Sequence, residues 1–521
     1  MLLTLIALTA CQGDQKPPGA LIFVRGGVIA EGVVPPKDAR PLSGGRALVA
    51  RLWRPGDLVE IGGVGGQAPS RAECVPIAHT PLGDVSRLIA GGGSPPDTSL
   101  AFSPDGALLA VGSYLGELLV LDAWTGEVLQ KKTVPEALIK RVAWSPDGRT
   151  IYAAEQSPDA MIWAFDAETL KARWSRRLAD DVGSSPAPAG VDLFGVYSLP
   201  TAFGLEVLPG GDLLVAASHG WNDESGARLN RSRILRLSPE GEQVAGFPET
   251  AADGIFLHPQ LDLEGGLVAL SVTRSASGAA PPGLPFGGMI VLDLVDLSPV
   301  AQLRAEPLLP HFESVFVWEA SAVSQRDELM VLGLGDGRVL LRRLDGSERA
   351  TLSAGAPVMA GDVPISASVG HALIREGEVI YLTSRTTIPW GAASPELRPP
   401  TAHPNENALW VVSSDGETRW TWTGPQALDG VSLAVDGRHL LVGAGVRDAD
   451  TREDLFGALV FDLGGTPGRG GEERLEAFCA TASPIFFRPV MSTDGRVAVA
   501  EHPTADGKGG VKGEYRVTLL R

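Results

Sequence analysis

The chain has 521 residues, of which 64 are glycine and 40 proline, about one residue in five and enough to break helices every few residues. Hydrophobic residues make up 44%, which excludes a disordered chain, and the glycines follow no three-residue period, which excludes collagen. Lys and Arg total 44 against 62 Asp and Glu, and the resulting charge of −18 repels phosphate backbones and excludes general nucleic-acid binding.

Residues 1–10 (MLLTLIALTA) form an apolar run too short to span a bilayer. The run ends Leu8-Thr9-Ala10-Cys11, which resembles the bacterial lipobox. The resemblance implies cleavage before Cys11 and a diacylglycerol anchor on its sulfur. It also implies a cell-envelope protein, and Gln12 after the cysteine implies the outer membrane, on its periplasmic or surface side. Residues 1–10 are therefore read as a signal peptide and 11–19 as a tether reaching about 30 Å. Residues 20–521 are read as one folded domain.

An internal repeat organises that domain. Phe102-Ser103-Pro104-Asp105-Gly106 and Trp144-Ser145-Pro146-Asp147-Gly148 each follow one short apolar strand and precede another. Proline presets the turn, aspartate caps it, and glycine takes the positive φ. Each turn aspartate is read as a cap rather than a metal ligand. Degenerate copies recur near Asp212, Gly265, Asp327, Gly377, Gly437 and Gly495, about 42 to 64 residues apart. A second turn follows in each unit, as in LLVLDAWTGEVLQ and IWAFDAETLKARW. Each unit thus holds four strands, A to D, and repeated four-stranded units indicate an all-β propeller.

These units resemble the WD40-like, YVTN and quinoprotein-type (PQQ-like) propeller repeats over roughly residues 95–521. The shared SPDG and D-x-x-T-G-E turns identify fold rather than function. Eight A–B turns predict eight blades, with seven decorated blades as the alternative. The last unit has no D strand, so an N-terminal strand must close the ring. Residues 20–25, 46–53 and 57–61 are the expected donors. If Cys11 is lipidated, Cys74 and Cys479 remain as a pair in an oxidising compartment. They are expected to form a disulfide that pins the closure, the alternative being two buried thiols.

The A–B turns are tight, whereas five B–C connections are long: 218–232, 273–288, 384–407, 443–457 and 501–514. One face of the ring is therefore elaborated, and loops on a rigid scaffold are where binding resides. Candidate binding residues there are His219, Trp221, Asp223, Phe286, Arg385, Trp390, His403, Arg447 and His502. Trp221 and Trp390 suit anchor roles or loop packing. Asp448, Asp450, Glu453 and Asp454 could bind Ca²⁺ through oxygens, or form a solvated acidic loop. His219, His403 and His502 could meet across the face as metal ligands.

Residues 166–174 (DAETLKARW) resemble the Trp-bearing docking repeat of quinoproteins, with Leu170 where Gly is expected. The adjacent-cysteine pair of many quinone enzymes is missing, and no catalytic residue is carried over. The sequence reading is a non-catalytic, monomeric envelope lipoprotein without a cofactor, binding a protein, peptide or glycan. The alternative is a lactonase-like, metal-assisted hydrolase or a quinone-dependent oxidoreductase.

Overall fold

The computed structural model describes residues 22–24, 48–50, 72–90, 97–185, 199–222, 228–254, 256–272, 284–285, 287–306, 320–360, 363–387, 403–445, 456–464, 470–485, 488–506 and 510–521. Eight antiparallel meanders form the blades of a β-propeller. Blade I comprises Ser99–Phe102, Leu108–Gly112, Glu117–Asp122 and Val128–Thr133. Blade II comprises Leu138–Trp144, Thr150–Gln156, Met161–Asp166 and Ala172–Arg177. Blade III has the longer strands Thr201–Val207, Leu213–Asn222, Arg228–Leu237 and Gln243–Ala252. Blade IV comprises Phe256–Asp262, Leu267–Val272, Gly288–Asp293 and Pro299–Arg304. Blade V comprises Ser321–Ser324, Leu329–Gly333, Arg338–Arg342 and Glu348–Ser353. Blade VI comprises Val363–Arg375, Glu378–Thr387, Ala408–Ser413 and Thr418–Thr423. Blade VII comprises Leu428–Leu433, His439–Ala444, Gly457–Asp462 and Leu475–Ala480.

The burial pattern explains the strand sequences. B and C strands lie between two neighbouring blades, so both their faces are covered and they read as near-continuous apolar runs. Leu267–Val272 and Leu329–Gly333 are buried at every position. D strands form the outer edge and are mostly exposed, as in Val128–Thr133. Their lysines and arginines discourage edge-to-edge pairing. The core is a series of clusters between adjacent blades. Leu109, Val111, Leu119 and Leu121 of blade I, for example, pack against Val517 and Leu519 of blade VIII. Each such fully buried side chain contributes roughly 1.5–3 kcal/mol.

The turns behave as their sequences require. Ser103 Oγ donates to Asp105 Oδ1 at 2.6 Å, and the Ala107 amide donates to the same oxygen at 3.0 Å. Gly106 sits at φ +73°, which its missing Cβ permits. Ser145 and Asp147 repeat the arrangement at 2.6 Å. These hydrogen bonds hold the Asp105 and Asp147 carboxyls below the usual carboxylate range.

Blade VIII is closed from the N-terminal side. Val490–Met491, Val497–Glu501 and Arg516–Leu520 supply its first three strands, and Pro76–Pro81 supplies the fourth. The closing strand therefore lies downstream of all three expected donors. Of those, Ile22–Val24 and Leu48–Ala50 pair with each other in a separate two-stranded sheet. Residues 57–61 lie outside the described residues. The PIAHTP sequence reads as a loop because proline begins and ends it. An outermost strand tolerates proline at those positions, since no further ladder needs the missing N–H groups.

The same segment reaches back to blade VII. Ala72–Glu73 runs parallel to the blade VII edge, Ala72 beside Ala477 and Glu73 beside Phe478. Cys74 and Cys479 are joined in a disulfide, with Cα atoms 4.7 Å apart and 405 residues of separation. The loop-entropy model assigns such a bridge on the order of 5 kcal/mol. Val75 and Arg521 exchange backbone hydrogen bonds at 2.7 and 3.0 Å. Thr80 Oγ1 donates to the Gly126 carbonyl of blade I at 2.7 Å. Residues 72–81 thus touch three blades and stitch the seam.

Candidate functional site

An antiparallel meander sends A–B and C–D turns to one end of a blade, and B–C connections and D–A links to the other. The first face is plain. Its turns close on themselves or on the next blade. Trp174 Nε1 donates to the Pro239 carbonyl at 2.7 Å, and a Cβ placed on Gly241 would lie 2.7 Å from the same ring. The quinoprotein-like segment is therefore a blade-docking device here, and Leu170 takes the glycine position at φ +49°.

The second face carries the long excursions. Asp223, Phe286, Trp390, Arg447, Asp448, Asp450, Glu453 and Asp454 lie outside the described residues, as does Cys11. The backbone of Arg385 pairs with Ser368 where blade VI extends above the ring. The three histidines do not meet. His219 is 1% exposed, His403 1% and His502 3%, and they are buried at three separate places on blades III, VI and VIII. His403 Nε2 lies 3.1 Å from the Ala356 carbonyl, and His502 Nδ1 lies 3.0 Å from that of Pro503. No group of three metal-ligating side chains occurs among the described residues.

The ring's mouth on this face is charged, but its charges pair internally. Asp97 precedes blade I, and Lys140 and Arg141 begin blade II. Lys140 Nζ forms an ion pair with Asp97, and Arg141 Nη1 lies 3.6 Å from Asp97 Oδ1. Burial pushes the Lys140 ammonium below the ordinary lysine range, opposed by the Asp97 charge. Buried Glu501 accepts from Arg516 Nε at 2.9 Å, from Arg516 Nη2 at 3.1 Å and from the Ser483 amide at 3.0 Å. Buried Glu155 accepts from Ser157 Oγ at 2.7 Å and from Trp163 Nε1 at 3.0 Å. Both carboxylates anchor the roots of B–C connections.

Two described elements of this face reach into solvent: a short hairpin in the blade VIII connection, Thr504–Ala505 against Val511–Lys512, and a longer excursion of blade III. The region expected as a 218–232 loop is largely strand, so blade III projects a two-stranded ribbon. His219 pairs with Arg231, Gly220 with Asn230, Trp221 with Leu229 and Asn222 with Arg228. Directly opposed residues share a ribbon face. His219, Trp221, Leu229 and Arg231 therefore lie together. Trp221 stacks on His219 with centroids 4.2 Å apart, and the Arg231 guanidinium lies 5.7 Å from the Trp221 centroid. Ser185, from the link between blades II and III, sits 2.8 Å from His219 Nε2, and His219 Nδ1 lies 3.3 Å from the Val182 carbonyl. Sequence reasoning found His219 and Trp221 but missed Ser185, Leu229 and Arg231. The alternation continuing past Ser218, in SHGWN against RLNRS, was the available signal for the last two.

With the ring and its two faces defined, the chain can be set beside solved structures. Its likeness is to β-propellers. The C-terminal WD40 domain of Sif2 matches 86% of this chain and 98% of its own length, at TM-score 0.50 and 11% identity. The computationally designed Ika8 protein covers 85% of this chain and 98% of its own, at TM-score 0.48 and 12% identity. BamB from Moraxella catarrhalis covers 85% of this chain and 100% of its own, at TM-score 0.45 and 14% identity. No protein-family model matches the chain. At such identities the likeness is one of fold.

Proposed function

We propose that this chain is a cell-envelope lipoprotein, anchored through Cys11 to the outer membrane, whose propeller binds a protein, peptide or glycan on its long-loop face. The observation that carries this reading is the asymmetry of the ring. Plain-face turns are spent on blade docking, whereas on the opposite face the described blade III ribbon carries Trp221, Leu229 and Arg231 above the blade. The charges at the mouth are used in holding blades I and II together, which suits a structural channel more than a catalytic one. The closing strand begins at Pro76, opposite Leu520 at the plain-face end of blade VIII. The reading requires no cofactor.

Two experiments test it. Metabolic labelling with an alkyne fatty acid should tag the wild-type chain and not Cys11→Ser; equal labelling removes the anchor. Crosslinking in intact envelopes should lose its partners when the blade III, blade IV and blade VI B–C connections are shortened together. Unchanged crosslinks would defeat the scaffold reading. A stoichiometric metal or a quinone absorbance in purified protein would replace it with the oxidoreductase or hydrolase alternative.

A further inference from the structure

We propose that the blade III ribbon is the docking element of this face, and that it takes a protein segment carrying a carboxylate beside an apolar side chain. This inference rests on the scaffold reading and assigns it a place and a partner chemistry. The ribbon face offers three kinds of contact side by side. Leu229 is 38% exposed, Trp221 is half-buried, and Arg231 is exposed. Trp and Arg are the side chains that most often dominate interface energetics.

Arg231 differs from its neighbours in its pairing. Arg233, two residues on, bonds Asp181 at 2.7 Å, and Arg176 and Arg177 of the adjoining blade II edge bond Asp181 at 3.0 Å and Asp159 at 2.7 Å. Arg231 makes no ion pair among the described residues, and its described contact is with the Trp221 ring. In a chain of net charge −18, a guanidinium left for a partner is a selective feature. A guanidinium beside an aromatic ring, with no ion pair of its own, can bind a carboxylate through two parallel hydrogen bonds.

The platform is also braced. Trp221 lies on His219, and His219 is held by Ser185 and the Val182 carbonyl. Little side-chain freedom remains to be lost on binding, which raises affinity for a given contact area. Ser185 and His219 are positioning residues in this scheme.

Panning a phage-displayed library of random dodecapeptides against the full chain tests the proposal. Enriched peptides should pair Asp or Glu with Leu, Ile or Phe. Their affinity should fall at least tenfold with Arg231→Ala and with Trp221→Ala, and by less with Arg231→Lys, which keeps the charge and loses the fork. Both alanine variants should keep the wild-type melting transition, because the side chains stand above the blade. His219→Gln should weaken binding mainly through faster dissociation. Peptides that bind the Arg231→Ala and Trp221→Ala variants as tightly as wild type overturn the inference and leave the scaffold reading standing. Enrichment of peptides without acidic residues does the same. A chain that enriches no peptide overturns both.

Discussion

The two faces of the ring use the same residue types for different ends. On the plain face, Trp174 is spent on the Pro239 carbonyl and the Gly241 backbone of the next blade. On the long-loop face, Trp221 stands on a projecting ribbon with an arginine over it. Plain-face arginines behave alike: Arg236 reaches the Leu294 carbonyl of the next blade at 2.9 Å, and Arg349 reaches Asp415 at 3.2 Å. The difference teaches that a tryptophan or arginine in a propeller gains meaning from its end of the blade. Turns that must be short are recruited to join blades, and excursions free to lengthen are the ones proposed to bind. Plain-face substitutions should therefore cost stability, and long-loop substitutions should cost binding.

The largest expected effect lies at the seam that keeps both faces in register. Cys74→Ser or Cys479→Ser should lower unfolding stability by up to about 5 kcal/mol, read by chemical denaturation with and without reductant. A wild-type protein equally stable in both conditions would show the closure to be independent of the bridge. Next is Gly241→Ala, which adds a Cβ 2.7 Å from the Trp174 ring at φ +86°. Strain and displaced packing should cost roughly 1–3 kcal/mol in the same measurement. Asp105→Ala removes a turn cap and should cost about 1 kcal/mol near neutral pH.

The turn carboxylates also set an acid limit. Asp105 and Asp147 are lowered mainly by Ser103 and Ser145, and Asp494 mainly by Arg496. A carboxylate depressed by folding stabilises above its unfolded pKa and loses that contribution as pH falls through the folded one. Stability should therefore hold from neutrality to about pH 4 and drop below it, less steeply in Asp105→Asn than in wild type. The smallest expected effect on stability is on the other face. Leu229→Ala should change it by no more than about 0.5 kcal/mol, while weakening capture of the partner. A large destabilisation there would erase the distinction between the faces.

Much of the fold was legible because turn chemistry repeats. Seven of the eight A–B turns carry a glycine, and blade V uses Glu328 at φ +49° instead, so eight recognisable copies announced eight blades. The closing strand was not legible, because an edge strand buries little and PIAHTP carries loop residues at both ends. The candidate site was partly legible. His219 and Trp221 stood out as large side chains among polar ones. Their company did not, because Ser185 comes from the link between blades II and III and meets His219 only when those blades pack. Nor was the burial of His403 and His502 visible, since the carbonyls they approach, those of Ala356 and Pro503, are placed by the turn geometry.

The contrast between the faces is tested most directly by site-specific photocrosslinking in intact envelopes, with the photoreactive residue placed at Leu229 or at Val435. Leu229 lies on the blade III ribbon, and Val435 is 75% exposed in the A–B turn of blade VII on the plain face. A discrete crosslinked product from position 229 and none from 435 is the predicted result. A product from 435 with none from 229 would contradict the assignment of binding to the long-loop face.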